Sequence, residues 1–186
     1  TAAVARVDSF IGNSKNVKDR IKKFYKRDSE VVYPPVDTSF YNPKKEEIKK
    51  GEYYLFVGRF VPYKKADLVV EAFNKLDTEL RLIGTGPEEN TLKKIAKNNI
   101  KFLGRASDEV LFENLKSAKA VIFPSEEDFG IVPVEAFACG TPVIAYGKGG
   151  ATETVIAGKT GEFFNEQTPE SLIKVIKKFD SKNYKF

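Results

Sequence analysis

The stretch PSEEDFGIVPVEAFACGTPVIAYGKGGATETVIAGKTG, residues 124–161, decides the fold predicted for this chain. It follows an apolar run at residues 120–123 that predicts a buried strand, and it begins with three consecutive carboxylates at residues 126–128. Gly130 and Pro133 then indicate the start of a helix, because a proline in the first turn lacks only an N–H that would have no partner there. The unpaired N–H groups and the dipole of such a helix start favour a bound anion.

Apolar runs alternate with helical patterns through the rest of the chain from residue 51. The further predicted strands lie at residues 53–57, 80–83, 100–103, 142–146 and 162–164. The predicted helices lie at residues 66–76, from about 88 to 97, after Ser107, at 133–139, near 152–156, and after Thr168 to about 179. Six apolar strands alternating with helices predict an α/β fold with a parallel sheet covered on both faces.

Right-handed crossovers make a doubly wound, Rossmann-like parallel sheet of six strands the expected arrangement. The commonest strand order, 3-2-1-4-5-6, places the first and fourth strands side by side. Ligands bind in such sheets beyond the carboxyl ends of those two strands. The loop after the first strand and the carboxylate turn, residues 126–128, are therefore expected to face one crevice.

Residues 1–45 differ from the regular pattern that follows. A strand is predicted within residues 4–12, a helix from Asn13 or Ser14 to about residue 26, and a strand at residues 31–33. Val17, Ile21 and Phe24 have the spacing of an apolar stripe on this helix. Residues 36–50 are polar and contain proline, which predicts a connector. We therefore divide the chain into residues 1–45, a β–α–β piece too small to bury a core of its own, and residues 46–186, which have the regular pattern.

Composition indicates a protein with a real core and a charged surface. The 186 residues are 41% hydrophobic with 15 Phe, and 31% are charged. No apolar run approaches the roughly 20 residues of a membrane span. The net charge of 31 − 26 = +5 suits an anionic ligand, anionic lipid or nucleic acid. Cys139 is the only cysteine, which fits a reducing compartment, and we expect it to be buried.

Basic residues follow the first predicted strand of the sheet. Gly58 and Arg59 come directly after it, and Lys64 and Lys65 lie five and six residues beyond Arg59. A guanidinium fork and an ammonium are the expected partners of a diphosphate. Surface exposure is the competing interpretation, and the predicted position opposite Gly130 favours phosphate binding. Lys64 and Lys65 remain alternatives as the phosphate ligand.

Two carboxylates, Glu127 in the turn and Glu135 in the predicted helix, are the candidates for binding sugar hydroxyls. Glu135 lies among apolar residues, and a buried carboxylate requires hydrogen bonds from a ribose, a backbone amide or Lys148. The competing interpretation of Glu127 is that it, like its neighbours Glu126 and Asp128, only keeps the turn hydrated. A metal site there is a weak interpretation, because no His or Cys joins the carboxylates.

Two glycine-rich stretches have less specific patterns. Residues 84–87, GTGP, lack the remaining residues of a dinucleotide-binding or P-loop motif, and a turn between strand and helix is the better interpretation. Residues 147–150, GKGG, either approach a ligand closely or form a tight turn. The chain contains no His, so no Ser–His–Asp chemistry is expected.

These motifs together resemble a known family. EDFGIVPVEAFACGTPVIA with GGATETV and GKTG is similar to the signature of retaining glycosyltransferases of family 4, which have the GT-B fold. The spacing of Glu127 and Glu135 fits the family's E-x7-E motif. GRFVPYKKADLVVEAF is similar to its Gly-Arg…Lys segment, LIGTGPE and IKFLGRAS to its next two strand ends, and YPPVDTSFY to the interdomain crossing of its mannosyltransferases. The resemblance extends over nearly the whole chain.

The resemblance implies a role for each matching residue. Arg59 and Lys64 would hold the donor diphosphate, Glu135 the ribose and Glu127 a hydroxyl of the donor sugar. The resemblance and the loop positions together give the remaining donor-binding candidates: Gly58, Lys65, Leu103, Gly104, Arg105, Phe129, Gly130, Ile131 and Val132. The family stabilises the departing diphosphate electrostatically, which implies neither a metal nor another cofactor here.

The resemblance also implies what the chain acts with. We expect the C-terminal, donor-binding half of a GT-B enzyme that binds a nucleotide sugar, with GDP-mannose favoured over UDP- or ADP-sugars. Residues 1–45 would then be the tail of the N-terminal domain with the interdomain connector, and residues 46–186 the nucleotide-sugar-binding domain. The N-terminal acceptor domain, which would receive a glycan or lipid-linked acceptor, would lie upstream, so this half alone is expected to be inactive. A cytoplasmic protein with peripheral membrane contact and no nucleic-acid partner is expected. The alternatives are a non-catalytic nucleotide-sugar-binding module, a GT-B sugar-nucleotide epimerase, and a basic protein that binds nucleic acid or membranes.

Overall fold

A computed structural model describes residues 4–43 and 49–180 of the chain. Its main feature is a six-stranded, fully parallel sheet with the spatial order β5-β4-β3-β6-β7-β8. The strands are β3 (Tyr53–Val57), β4 (Glu79–Ile83), β5 (Ile100–Gly104), β6 (Ala120–Phe123), β7 (Val143–Tyr146) and β8 (Gly161–Phe164). Counted within this sheet the order is 3-2-1-4-5-6, so the predicted doubly wound topology is confirmed.

Helices cover both faces of the sheet. They are α2 (Ala66–Phe73), α3 (Glu89–Ile95), α4 (Asp108–Ser117), α5 (Ile131–Ala138), α6 (Ala151–Thr154) and α7 (Pro169–Asp180). Alternate residues of β3 face opposite cores. Tyr54 and Phe56 pack with residues of α2, α3 and α7, whereas Tyr53 and Leu55 pack with residues of α4, α5 and α6. This burial on both sides explains why the central strands are continuous apolar runs.

The predicted helix caps are present. The Ser107 hydroxyl accepts a hydrogen bond from Val110 N, and the Thr168 hydroxyl accepts one from Ser171 N, so each supplies a partner for an otherwise unpaired amide. Several helix boundaries differ from the predicted ones: α2 and α3 end earlier, and α5 begins two residues earlier. Pro133 nevertheless stays in the first turn of α5, where its missing N–H has no consequence.

The N-terminal segment, residues 4–33, forms a separate parallel β–α–β unit. Its elements are β1 (Ile11–Gly12), α1 (Lys15–Tyr25) and β2 (Glu30–Val31), preceded by a 3-10 turn at Val4–Arg6. The predicted strands are therefore present but shorter. The predicted apolar stripe of α1 is only partly confirmed, because Ile21 is buried whereas Phe24 is 66% exposed. The sheet beside this helix has only two short strands, which leaves the Phe24 end of the stripe exposed.

The expected division of the chain at residues 45 and 46 lies outside the described residues. Within the described ranges, no helix combines the length and apolarity that a membrane crossing requires.

Candidate functional site

The site lies between β3 and β6. Strands β4 and β5 follow on one side of β3, and β6, β7 and β8 follow on the other. Strands β3 and β6 are neighbours, with Tyr54 beside Ala120 and Leu55 beside Val121. The helices that follow them pack on opposite faces of the sheet, so the two loops diverge beyond the strand ends and leave a crevice. One loop carries Lys64, and the other carries the carboxylate turn.

An ion pair joins these two loops. Lys64 Nζ lies 2.6 Å from Glu127 Oε1, and each side chain is only 19% exposed. Glu127 Oε1 also accepts a hydrogen bond of 2.6 Å from the Ser125 hydroxyl. Lys64 ends a 3-10 turn, Pro62–Lys64, that the sequence analysis did not predict, and this turn directs the ammonium towards the carboxylate.

The backbone separates the roles of the two candidate lysines. Lys65 has a left-handed conformation, with φ of 56°, and links the 3-10 turn to the first residue of α2. A non-glycine residue in this region carries strain. Lys64 contacts the carboxylate turn through its ion pair with Glu127, whereas Lys65 links the 3-10 turn to α2. Gly58 lies beneath it, since a Cβ there would be 3.8 Å from Lys64 Cδ.

Gly130 and Ile131 form the helix start opposite Lys64. Gly130 has φ of 86°, which a side chain rarely tolerates, and a Cβ there would lie 2.8 Å from Phe123 Cζ. Glycine is therefore required for α5 to begin directly behind the carboxylate turn. The first turn of α5 contains no acidic residue, so no acidic side chain there opposes the positive end of its dipole.

A cavity of about 430 Å³ opens in front of this helix start. Four of the candidates line it: Glu127, Phe129, Gly130 and Ile131. Glu126 and Asp128 of the carboxylate turn also line it. The rest of its wall consists of Tyr63, Asn13 and Pro34, which were not predicted as site residues. Asn13 and Pro34 follow the two short N-terminal strands, and the carboxyl ends of parallel strands were the signal that could have indicated them.

Glu135 lies further along α5 on its half-buried side. Burial raises the pKa of Glu135, the Asp108 carboxylate raises it further, and a hydrogen bond with Tyr41 opposes this rise. Burial and the nearby Glu135 also raise the pKa of Tyr41, to about 12. Tyr41 thus lies near enough to Glu135 to favour its charged form, whereas Lys148 lies over the Tyr146 ring.

The ends of β3, β4 and β5 are joined side by side by glycine contacts. Gly58 N donates to Ile83 O at 3.0 Å, and Gly84 N donates to Gly104 O at 2.8 Å. A Cβ at Gly84 would lie 2.0 Å from Gly58 O, so the glycines of the GTGP stretch allow the strand ends to pack closely. This agrees with the interpretation of that stretch as a structural turn.

The remaining candidates flank this row of strand ends. Leu103 and Arg105 are exposed beside Gly104, next to the start of α4, and Val132 is half-buried in α5. Arg59 is exposed directly after Gly58. In residues 4–43 and 49–180, no hydrogen bond or ion pair engages its guanidinium.

The GKGG stretch supports the carboxylate turn from behind. Gly150 N donates to Glu127 O at 2.8 Å, and a Cβ at Gly150 would lie 2.4 Å from both Asp128 O and Phe129 Cα. Gly149 has φ of 74°. These glycines therefore approach the turn itself, an interpretation that the sequence analysis did not consider.

Neither the acidic turn nor the cysteine shows further chemistry. Among the described residues, no group of three or more His, Cys, Asp or Glu side chains is arranged to hold a metal ion. Cys139 is fully buried as expected, and burial raises the pKa of its thiol to about 12.

Comparison with known families gives a match over most of the chain. Residues 37–185 match the model of the family described as glycosyl transferases group 1. An uncharacterized glycosyltransferase of Methanocaldococcus jannaschii is 34% identical over 178 residues, which cover 91% of this chain and 49% of that protein. The chain thus spans about half the length of this relative.

A second relative and a solved structure are also similar. A GDP-mannose-dependent monoacylated alpha-(1-6)-phosphatidylinositol monomannoside mannosyltransferase of Corynebacterium glutamicum is 37% identical over 113 residues, 52% of this chain and 30% of that protein. The Anabaena protein HepE, solved in complex with UDP and glucose, superposes with a TM-score of 0.83 at 22% identity. The match covers 96% of this chain and 55% of HepE.

Proposed function

The chain belongs to the family of group 1 glycosyl transferases, and on this premise we propose that it is the donor-binding half of a retaining transferase. We propose that it binds a nucleotide sugar, GDP-mannose in the first instance, and that the complete enzyme transfers the hexosyl group to a glycan or lipid-linked acceptor. The acceptor would be received by a second domain, because the chain spans about half the length of a relative such as the M. jannaschii protein.

The observation that carries this proposal is the pairing of Lys64 with Glu127 in front of the α5 start. A cation, a carboxylate and a row of helix N–H groups converge where β3 and β6 end. The ammonium and the N–H groups suit the two phosphates of a nucleotide sugar. The carboxylate suits a hydroxyl of the sugar joined to them.

The chemical step breaks the bond between the anomeric carbon of the sugar and the oxygen of the second phosphate, while an acceptor hydroxyl forms a bond to the same face of that carbon and gives its proton to the departing diphosphate. Negative charge then develops on the departing diphosphate. Lys64 and Arg59 would stabilise this charge, together with the amides of Ile131 and Val132, and such stabilisation is commonly the largest contribution to catalysis. No metal or other cofactor is required by this proposal.

The nucleoside would extend from the diphosphate along α5. Glu135 would accept hydrogen bonds from the ribose hydroxyls in place of its present contact with Tyr41. The base would lie against the exposed residues Leu103–Arg105 beside the α4 start. Each hydrogen bond from a ribose hydroxyl to the Glu135 carboxylate would contribute about 1.5–3 kcal/mol, because one partner is charged.

The preference for GDP-mannose is supported by the name of the C. glutamicum relative, whereas HepE was solved with UDP. The proposed enzyme would work in the cytoplasm, where nucleotide sugars are available, and would meet a lipid-linked acceptor at the membrane surface. The membrane contact would belong to the complete enzyme.

Calorimetric titration tests the donor site. GDP-mannose, UDP-glucose and ADP-glucose are titrated into the wild type, Glu135→Ala and the control Glu71→Ala, which removes an exposed glutamate from α2. We expect one nucleotide sugar to bind saturably, Glu135→Ala to weaken it at least about tenfold, and Glu71→Ala to have no effect. Binding of all three with equal affinity, or binding that is indifferent to Glu135→Ala, would contradict the proposal. Transfer itself is measured with the full-length protein as release of the nucleoside diphosphate.

A further inference from the structure

Glu153 connects two parts of the molecule that are distant in sequence. It lies in α6, yet its carboxylate accepts hydrogen bonds from three donors in the N-terminal segment. Lys15 N lies 2.9 Å from one carboxylate oxygen, Asn16 N lies 2.8 Å from the other, and the Tyr33 hydroxyl donates at 2.9 Å.

Two of these donors belong to the first turn of α1. Amides in this position have no partner within their own helix, and they form the positive end of the helix dipole. Ser14 accepts from Val17 N, so Ser14 and Glu153 together satisfy three amides of the turn. Burial opposes ionisation of Glu153, but its hydrogen bonds with Asn16, Lys15 and Tyr33 outweigh this and hold the pKa of Glu153 below its usual value.

The same end of α1 also contacts the carboxylate turn. The Ser14 hydroxyl, which is fully buried, donates to Asp128 O, and Asn16 Nδ2 donates to Glu127 O at 3.5 Å. Arg20 forms an ion pair with the Asp128 side chain. The start of α1 therefore holds the turn on the side facing the N-terminal segment.

The start of α6 holds the opposite side of the turn. Gly150, the residue before α6, donates its N–H to Glu127 O, the same carbonyl that Asn16 contacts. The backbone of Glu127 is thus held between α1 and α6. The Glu153 carboxylate joins α1 and α6 directly. The start of α1, the start of α6 and the carboxylate turn are therefore each bonded to the other two. Tyr33 strengthens this arrangement, because its ring packs against Phe129 with centroids 5.7 Å apart.

We propose that Glu153 is a positioning residue, which fixes the start of α1 against the carboxylate turn and thereby holds the Glu127 carboxylate on Lys64. Its effect on the ligand rests on the proposed function, since Glu153 would act on the nucleotide sugar only through the turn. The N-terminal segment then contributes to the geometry of the donor site.

Two measurements on the same variants test this proposal. Glu153→Gln keeps the size of the side chain but removes the charge and one acceptor oxygen, and Glu153→Asp keeps the charge. The matched control is Glu170→Gln, which removes a first-turn carboxylate of α7 that pairs with Lys75 at 2.7 Å. Hydrogen exchange is followed in residues 15–19 and 126–130, and nucleotide-sugar affinity is measured by calorimetry at a temperature where every variant is folded.

We expect Glu153→Gln to accelerate exchange in both peptides and to weaken nucleotide-sugar binding at least about fivefold, a typical coupling between sites. Glu153→Asp should restore part of both, and Glu170→Gln should change neither. Faster exchange in residues 15–19 alone, with unchanged affinity, would show that Glu153 only caps α1 and would overturn the proposal. If the wild type binds no nucleotide sugar, the proposed function fails. In that case, the hydrogen-exchange rate of residues 126–130 in Glu153→Gln tests the positioning role of Glu153 alone, and an unchanged rate would overturn that role.

Discussion

The ion pair between Lys64 and Glu127 makes a quantitative prediction about ligand selectivity. The ammonium is paired with a carboxylate at 2.6 Å, and both side chains are 19% exposed. A diphosphate that binds Lys64 must share it with Glu127 and must also approach the negative charge of Glu127. Glu127→Gln removes both costs while the Ser125 hydroxyl keeps an acceptor.

The burial of the pair sets the expected magnitudes. Exposed ion pairs contribute about 0–1 kcal/mol, and removal of one partner from a buried pair costs about 3–5 kcal/mol. With both side chains mostly but incompletely buried, we expect Glu127→Gln to lower the free energy of unfolding by about 1.5 kcal/mol. The affinity for a bare nucleoside diphosphate should rise by about 1 kcal/mol, or about fivefold, because no ion pair has to be shared.

The nucleotide sugar should respond differently from the bare diphosphate. If Glu127 accepts a hydrogen bond from the sugar, its loss costs about 1.5–3 kcal/mol and more than cancels the gain at the phosphates. We therefore expect the ratio of the two dissociation constants to change by about tenfold or more. Lys64→Met should weaken both ligands, and the control Glu71→Gln, at an exposed position of α2 that does not line the cavity, should leave the ratio unchanged.

Calorimetry with the preferred nucleoside diphosphate and its sugar conjugate measures this ratio, and urea unfolding followed by circular dichroism measures the stability. Equal changes in both affinities for Glu127→Gln would refute the reasoning, because the carboxylate would then have no separate contact with the sugar. A rise in stability would refute the ion-pair argument independently of any ligand.

Three further predictions concern stability and reactivity. Gly150→Ala should lower the free energy of unfolding by about 3 kcal/mol in urea titrations, because its Cβ would lie 2.4 Å from Asp128 O; a loss below about 1 kcal/mol would contradict that contact. Cys139, whose thiol pKa burial raises to about 12, should react with a disulfide reagent at pH 8 at least about 100-fold more slowly in the native protein than in urea. Burial lowers the pKa of Lys50 to about 8 from 10.5, so the unfolded chain binds more protons between these values and stability rises with pH there. Lys50 is partly exposed, which reduces the expected effect. From pH 7 to 9.5, the free energy of unfolding of the wild type should rise by about 1 kcal/mol more than that of Lys50→Met, and an equal pH dependence in the two proteins would contradict this.

Sequence patterns were sufficient for the topology and for the location of the crevice. The strands are buried on both faces, so each is a short apolar run that can be recognised without knowledge of its neighbours. Handedness and strand order then follow from general rules that leave few alternatives. The carboxylate turn and Gly130 were found for the same reason, since both follow directly after such a run.

Other features depended on contacts between distant residues. The pairing of Lys64 with Glu127 depends on a 3-10 turn and on the left-handed conformation of Lys65, which two adjacent lysines do not reveal in sequence. The effect of Tyr41 on the pKa of Glu135 links the connector to α5, two parts of the chain that are far apart in sequence. The exposure of Phe24 reflects the small sheet against which α1 packs, and helical spacing carries no information about the size of a partner surface.

The sequence by itself therefore determined the parallel α/β architecture, the strand order and the pair of loops that face each other, because these depend on local periodicity and chain handedness. Only the tertiary structure decided that GKGG supports the carboxylate turn and that Glu153 caps α1 from the other side of that turn. Glycines and a surface glutamate are compatible with many local structures. Their roles arise from backbone atoms that the fold brings within hydrogen-bonding distance, and those atoms are the same in every residue type.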